Sequence, residues 1–142
     1  MNKILKDALD ELTALHLFNG VQPSDLADAM YETPYLEFKT TKTVEHLTVE
    51  LSFIDEYEET ANTVKMKYVY SLDRKLQRID QKIGSKKFAT QWCRKTATSD
   101  AIAKVESALR KMRVTDKKIS EIMSTLPSSA ISQVRARLSL VA

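Results

Sequence analysis

The feature that most limits the fold is a change of hydrophobic period at Tyr35. From there to Tyr70 apolar residues recur every second position, whereas both flanks repeat every three to four. Alternation makes a strand with one apolar and one polar face; a 3.6-residue repeat makes an amphipathic helix. Leu36, Phe38 and Thr40 alternate with Glu37, Lys39 and Thr41. A second run, 44–53, sets Leu47, Val49, Leu51 and Phe53 against His46, Thr48, Glu50 and Ser52. A third sets Val64, Met66, Tyr68 and Tyr70 against Lys65, Lys67 and Val69. Three such runs with short links predict a three-stranded antiparallel meander.

The flanks predict helices. Residues 2–16 place Ile4, Leu5, Ala8, Leu9, Leu12 and Leu15 on one stripe, and Asn19-Gly20 ends it. A short helix is expected over 24–31, capped by Ser24, with Leu26, Ala27 and Met30 inward. Beyond the strands, Leu72, Leu76, Ile79 and Ile83 read as a helical stripe that starts at Ser71 and stops at Gly84. Phe88 and Trp92, four apart, predict a helix over 86–95. Ser99-Asp100 caps a further helix with Ile102, Val105, Leu109 and Met112 inside. The expected class is α+β: two N-terminal helices, the three-stranded sheet, then a helical C-terminal part ending in a three-helix unit. The polar link 96–99 divides it into a domain over 1–95 and a unit over 96–142.

The last quarter, 115–140, carries the functional expectation. Ile119, Ile122 and Met123 give one apolar stripe, Ile131, Val134 and Leu138 a second, with Pro127 at the turn between them. On the second stripe's far side lie Ser129, Ser132 and Gln133, flanked by Arg135 and Arg137. Hydroxyl and amide groups pair with base edges, and guanidinium groups suit phosphate or guanine. This segment resembles a helix-turn-helix DNA-binding module. The resemblance implies a small regulatory or accessory DNA-binding protein, with Arg113, Lys117 and Lys118 meeting the backbone ahead of the reading helix. It also implies a homodimer on duplex DNA, because one module buries limited surface.

Charge supports the same class. Residues 1–64 carry 4 basic and 13 acidic side chains, net −9; residues 65–142 carry 18 and 6, net +12. The basic half is a footprint for phosphate. The acidic half suits a protein partner, and a non-catalytic adaptor or inhibitor without nucleic acid is the alternative reading. A third arrangement pairs the two halves with each other. Lys65, Lys67, Tyr68, Tyr70, Lys86, Lys87, Phe88 and Trp92 mix cations with rings as single-strand binders do, but the rings read better as core.

Catalysis has little support. Asp55, Glu56, Glu58 and Glu59 lack the spacing of a calcium loop and read as a solvated hairpin tip. Glu37-Phe38-Lys39 resembles the acid-x-lysine pair of metal-dependent nucleases, without the second acid such a site needs. His16 and His46 have no partner at a telling spacing, and Cys93, a lone thiol beside Trp92, reads as inert. No cofactor or metal is expected. A single cysteine and no long apolar run point to a cytoplasmic protein, and small size to a microbial or mobile-element origin.

Overall fold

The computed structural model describes residues 3–55, 62–113, 115, 117, 118 and 121. The chain divides into two compact units. One comprises Met1–Phe18 with Lys95–Ala142, the other Asn19–Arg94.

In the first unit, α1 spans Lys3–Leu17 and α3 spans Arg94–Lys111, whose first residue belongs to the sheet unit. Leu5, Ala8, Leu9 and Leu12 of α1 share one apolar cluster with Ala101, Ile102, Val105, Ala108 and Leu109 of α3. The predicted stripes are thus the buried faces, except that Ile4 lies outside and exposed. Lys104 meets Glu11 at 3.0 Å across the polar side. The polar stretch 96–99 lies inside α3.

The second unit opens with α2, Pro23–Asp28, and a 3-10 turn, Ala29–Tyr31. Gln22, not Ser24, precedes the first helical residue. Pro23 takes that first position, where a missing N–H leaves no bond unmade, and the Asp25 carboxylate accepts the Gln22 N–H at 2.9 Å. Five strands follow: β1 Tyr35–Lys42, β2 His46–Asp55, β3 Asn62–Ser71, β4 Leu76–Ile83 and β5 Ala89–Cys93. They form one antiparallel sheet in sequence order.

The class is therefore α+β, but the expected three-stranded sheet is corrected to five strands. Three α-helices stand among the described residues, not a helical half ending in a three-helix unit. The helices expected over 71–83 and 86–95 are β4 and β5. Bulges explain the misreading, because one extra residue turns a two-residue repeat into a three-residue one. On β4, Tyr70 faces Leu76 and Val69 faces Arg78, leaving Gln77 extra. Leu76 and Ile79, three apart, thereby reach the same core cluster. On β5, Ile79 faces Trp92 and Asp80 faces Thr90, leaving Gln91 extra. Trp92 packs on the core, while Phe88 meets Lys67 and Lys82 instead. A bulge at Leu36 likewise leaves it 55% exposed and sends Tyr35 inward, its ring 5.4 Å from Phe53.

The apolar face is as predicted on β2 and β3. Leu47, Val49, Leu51, Met66, Tyr68 and Tyr70 join one cluster, with Leu26 and Met30 packed on it. The segment entering α2 is fastened to this face. Leu76 N–H donates to Asn19 O at 2.8 Å, and the Tyr70 hydroxyl donates to Val21 O at 2.7 Å.

Candidate nucleic-acid interface

Residues 110–118 hold five cations, Arg110, Lys111, Arg113, Lys117 and Lys118, against Asp116. All five are exposed. Arg110 and Lys111 occupy the last turn of α3, where positive charge complements the carbonyl end of the helix, and Arg110 also pairs with Glu106. Arg113 ends the helix in the left-handed region at φ 49°, its N–H donating to Arg110 O at 3.1 Å. The Thr115 hydroxyl accepts the Lys118 N–H at 3.3 Å, and Lys117 and Lys118 are helical. Local helix stability accounts for the placement of Arg110 and Lys111. Ser129, Ser132, Gln133, Arg135 and Arg137, also expected to touch nucleic acid, lie outside the described residues.

The polar face of the sheet holds a second set of cations, Lys39, Lys65, Lys67, Arg78 and Lys82, whose order sequence reading missed. Strand register lines up Lys39, Glu50, Lys67 and Asp80, one on each of β1 to β4, in alternating sign. Opposite charges directly across a strand pair stabilise it. Asp80, only 6% exposed, accepts from Arg78 Nε at 2.9 Å and from the Thr90 hydroxyl at 2.9 Å. The ring of Phe88 carries the Lys67 ammonium at 4.6 Å and the Lys82 ammonium at 5.9 Å. Tyr70 is 1% exposed and Tyr68 shares its core face, so neither ring is open to a base. Burial pushes the Tyr70 phenol up to about 12 and raises that of Tyr68.

Folding thus redistributes the linear charge. The sheet unit has 11 basic and 12 acidic residues, net −1; the helical unit has 11 and 7, net +4. The positive surplus belongs to the unit that contains residues 110–118.

The other singled-out residues do not converge. His16 is in the last turn of α1, His46 opens β2, Cys93 ends β5, and Glu37 and Lys39 share the polar face of β1. Among the described residues no three His, Cys, Asp or Glu side chains are grouped to hold a metal ion. No helix among them is long and apolar enough to cross a membrane. The chain matches no protein-family model, no curated protein and no solved structure.

Proposed function

We propose that this chain is a small nucleic-acid-binding protein of regulatory or accessory type that holds duplex DNA through residues 110–118. The observation that carries the reading is the set of exposed cations at Arg113, Lys117 and Lys118, in the unit with the positive surplus. Ser129, Ser132, Gln133, Arg135 and Arg137 would add contacts to bases and phosphates from the sequence that follows. Binding as a homodimer would double a limited contact. Ile4, Leu17 and Phe18, each exposed, offer apolar area for a second copy.

Fluorescence anisotropy with a labelled mixed-sequence duplex, repeated across salt concentrations, tests this. Each phosphate contact contributes about 0.9 to the slope of log affinity against log salt. Replacing Arg113, Lys117 and Lys118 together with alanine should lower that slope by about 2.7 if all three touch phosphates. Absence of binding at low salt refutes the proposal and favours a protein-interaction adaptor.

A further inference from the structure

The sheet unit contains a cleft of about 520 Å³ where the β3–β4 turn meets the segment entering α2. Lys42 and Arg74 supply its charge, Gln22, Ser24 and Ser71 its neutral polar groups, and Leu47 and Leu72 an apolar surface. Volume and lining match the general plan of small-molecule sites: an apolar body with a few convergent polar groups.

Three observations give the cleft a sign. No acid lines it. Asp25 and Asp73, in the adjoining segments, are not lining residues; each stands one hydrogen bond behind the lining, accepting from the Gln22 N–H and the Ser71 hydroxyl. Lys42 and Arg74 enter no ion pair among the described residues. An anion entering the cleft therefore meets positive charge and no fixed negative charge along the lining.

The backbone adds a fourth. Arg74 has φ 73°, a left-handed conformation that an L side chain adopts at a cost. Its N–H donates to Ser71 O at 3.0 Å, and its carbonyl accepts from Gln22 Nε2 at 3.0 Å. The turn thus requires a left-handed residue, where glycine is the unstrained choice. A cation occupies the position instead, on the lining of the cleft. Backbone strain held at such a place is a pointer to function.

We infer that this cleft binds a small organic anion, its phosphate-ester or carboxylate head held between Lys42 and Arg74 and its apolar body on Leu47 and Leu72. The inference is independent of the DNA reading, since it concerns the sheet unit alone.

The test is calorimetric titration of the full chain with phenyl phosphate, benzoate, inorganic phosphate and phenol, with amide NMR shifts to locate binding. Phenyl phosphate or benzoate should bind and shift the amides of Gln22, Leu72 and Arg74. Phenol and inorganic phosphate, each lacking one half of the ligand, should bind more weakly. The tighter of the two aromatic anions identifies the head group. Hydrogen bonds to charged groups imply that Lys42→Ala or Arg74→Gly weakens binding by about tenfold or more. Arg74→Gly is the decisive variant, because it relieves the backbone while removing the cation. A purely structural Arg74 predicts unchanged affinity in that variant, which would overturn the inference. So would failure of both aromatic anions to bind at millimolar concentration, or shifts confined to another part of the chain.

Discussion

Gly20 links the end of the first helix to the sheet, and replacing it with alanine should be among the costlier single-methyl changes in the molecule. Its φ is 85°, and a Cβ built there would lie 2.9 Å from Leu76 Cβ and 3.2 Å from Leu76 Cδ2. Leu76 cannot retreat easily: it is buried, and its N–H is held by Asn19 O. The left-handed backbone costs an L residue about 1–2 kcal/mol. Crowding a packed site adds about 1–3 kcal/mol. Stiffening the unfolded chain offsets about 0.4–1 kcal/mol. The net expectation is a loss of about 2–4 kcal/mol. Gly84→Ala is the internal control. Gly84 is also left-handed at φ 56°, but its Cβ would meet only Asn62 Oδ1, at an ordinary 3.5 Å. It should lose about 1 kcal/mol or less, so the difference isolates the steric contact. Urea unfolding followed by the fluorescence of Trp92, the only tryptophan, reports on the unit that contains both glycines. The midpoint should fall with unchanged denaturant dependence, since the same surface is exposed. Equal losses in the two variants would refute the steric argument and show that the 19–22 segment yields to the new methyl.

Three further outcomes follow from contacts in the same sheet and from the basic segment. Asp80→Ala should cost about 1–3 kcal/mol by removing the acceptor shared by Arg78 and Thr90, whereas Asp80→Asn, which can keep the Thr90 bond, should cost less in the same urea assay. The folded Tyr70 phenol titrates near 12 against an ordinary 10.0, so its neutral form is the favoured one in the fold. The associated stability is fully present below pH 10.0 and is lost as pH rises towards about 12. Trp92 fluorescence should report alkaline loosening in that window, and Tyr70→Phe should diminish it; an unchanged alkaline profile in the variant would count against the assignment. Reversing charge at Lys117 and Lys118 with glutamate should abolish duplex binding in the anisotropy assay while leaving the urea transition of Trp92 in place, because both residues are outside the sheet unit.

What could be read from sequence depended on whether the pleat ran uninterrupted. β2 and β3 pair residue for residue along their whole length, and their inward sets, Leu47 to Leu51 and Met66 to Tyr70, were legible from alternation alone. β1, β4 and β5 each carry an extra residue: β1 was still legible as a strand, though not the outward turn of Leu36, while β4 and β5 were misread as helices. A bulge gives Leu76 and Ile79 the spacing of one helical turn, and local sequence cannot say which structure satisfies it. Tertiary pairing decided the matter: Tyr68 and Tyr70 present an apolar edge that Ile79 and Leu76 complete. The left-handed stop at Gly84 was correctly located but terminates a strand rather than a helix. The candidate interface was legible only in part. The run of cations over 110–118 is visible in the sequence; the exposure of Arg113, Lys117 and Lys118 is not. The cleft was not legible, since Lys42 and Arg74 come together only through strand pairing, and nothing in Asp73-Arg74-Lys75 marks a left-handed arginine.

The split of charge along the chain has a different meaning once the strands are paired. An antiparallel meander sets each strand beside its sequence neighbour, so acidic β2, with Glu50 and Asp55, lies against basic β3, with Lys65 and Lys67, and Glu50 faces Lys67. Paired residues there lie about 5 Å apart, inside the screening length of about 10 Å at moderate salt. Such charges act mainly on one another and contribute little field at a distance. The near-neutral sheet unit can therefore select a small anion only where cations escape the ladder, as Lys42 and Arg74 do at its end. Among the described residues of the helical unit, the ion pairs are Lys6 with Asp10, Lys104 with Glu11 and Arg110 with Glu106, against a net charge of +4 for the unit. The two proposals thus call on different units, so duplex binding and small-anion binding should be lost in separate variants.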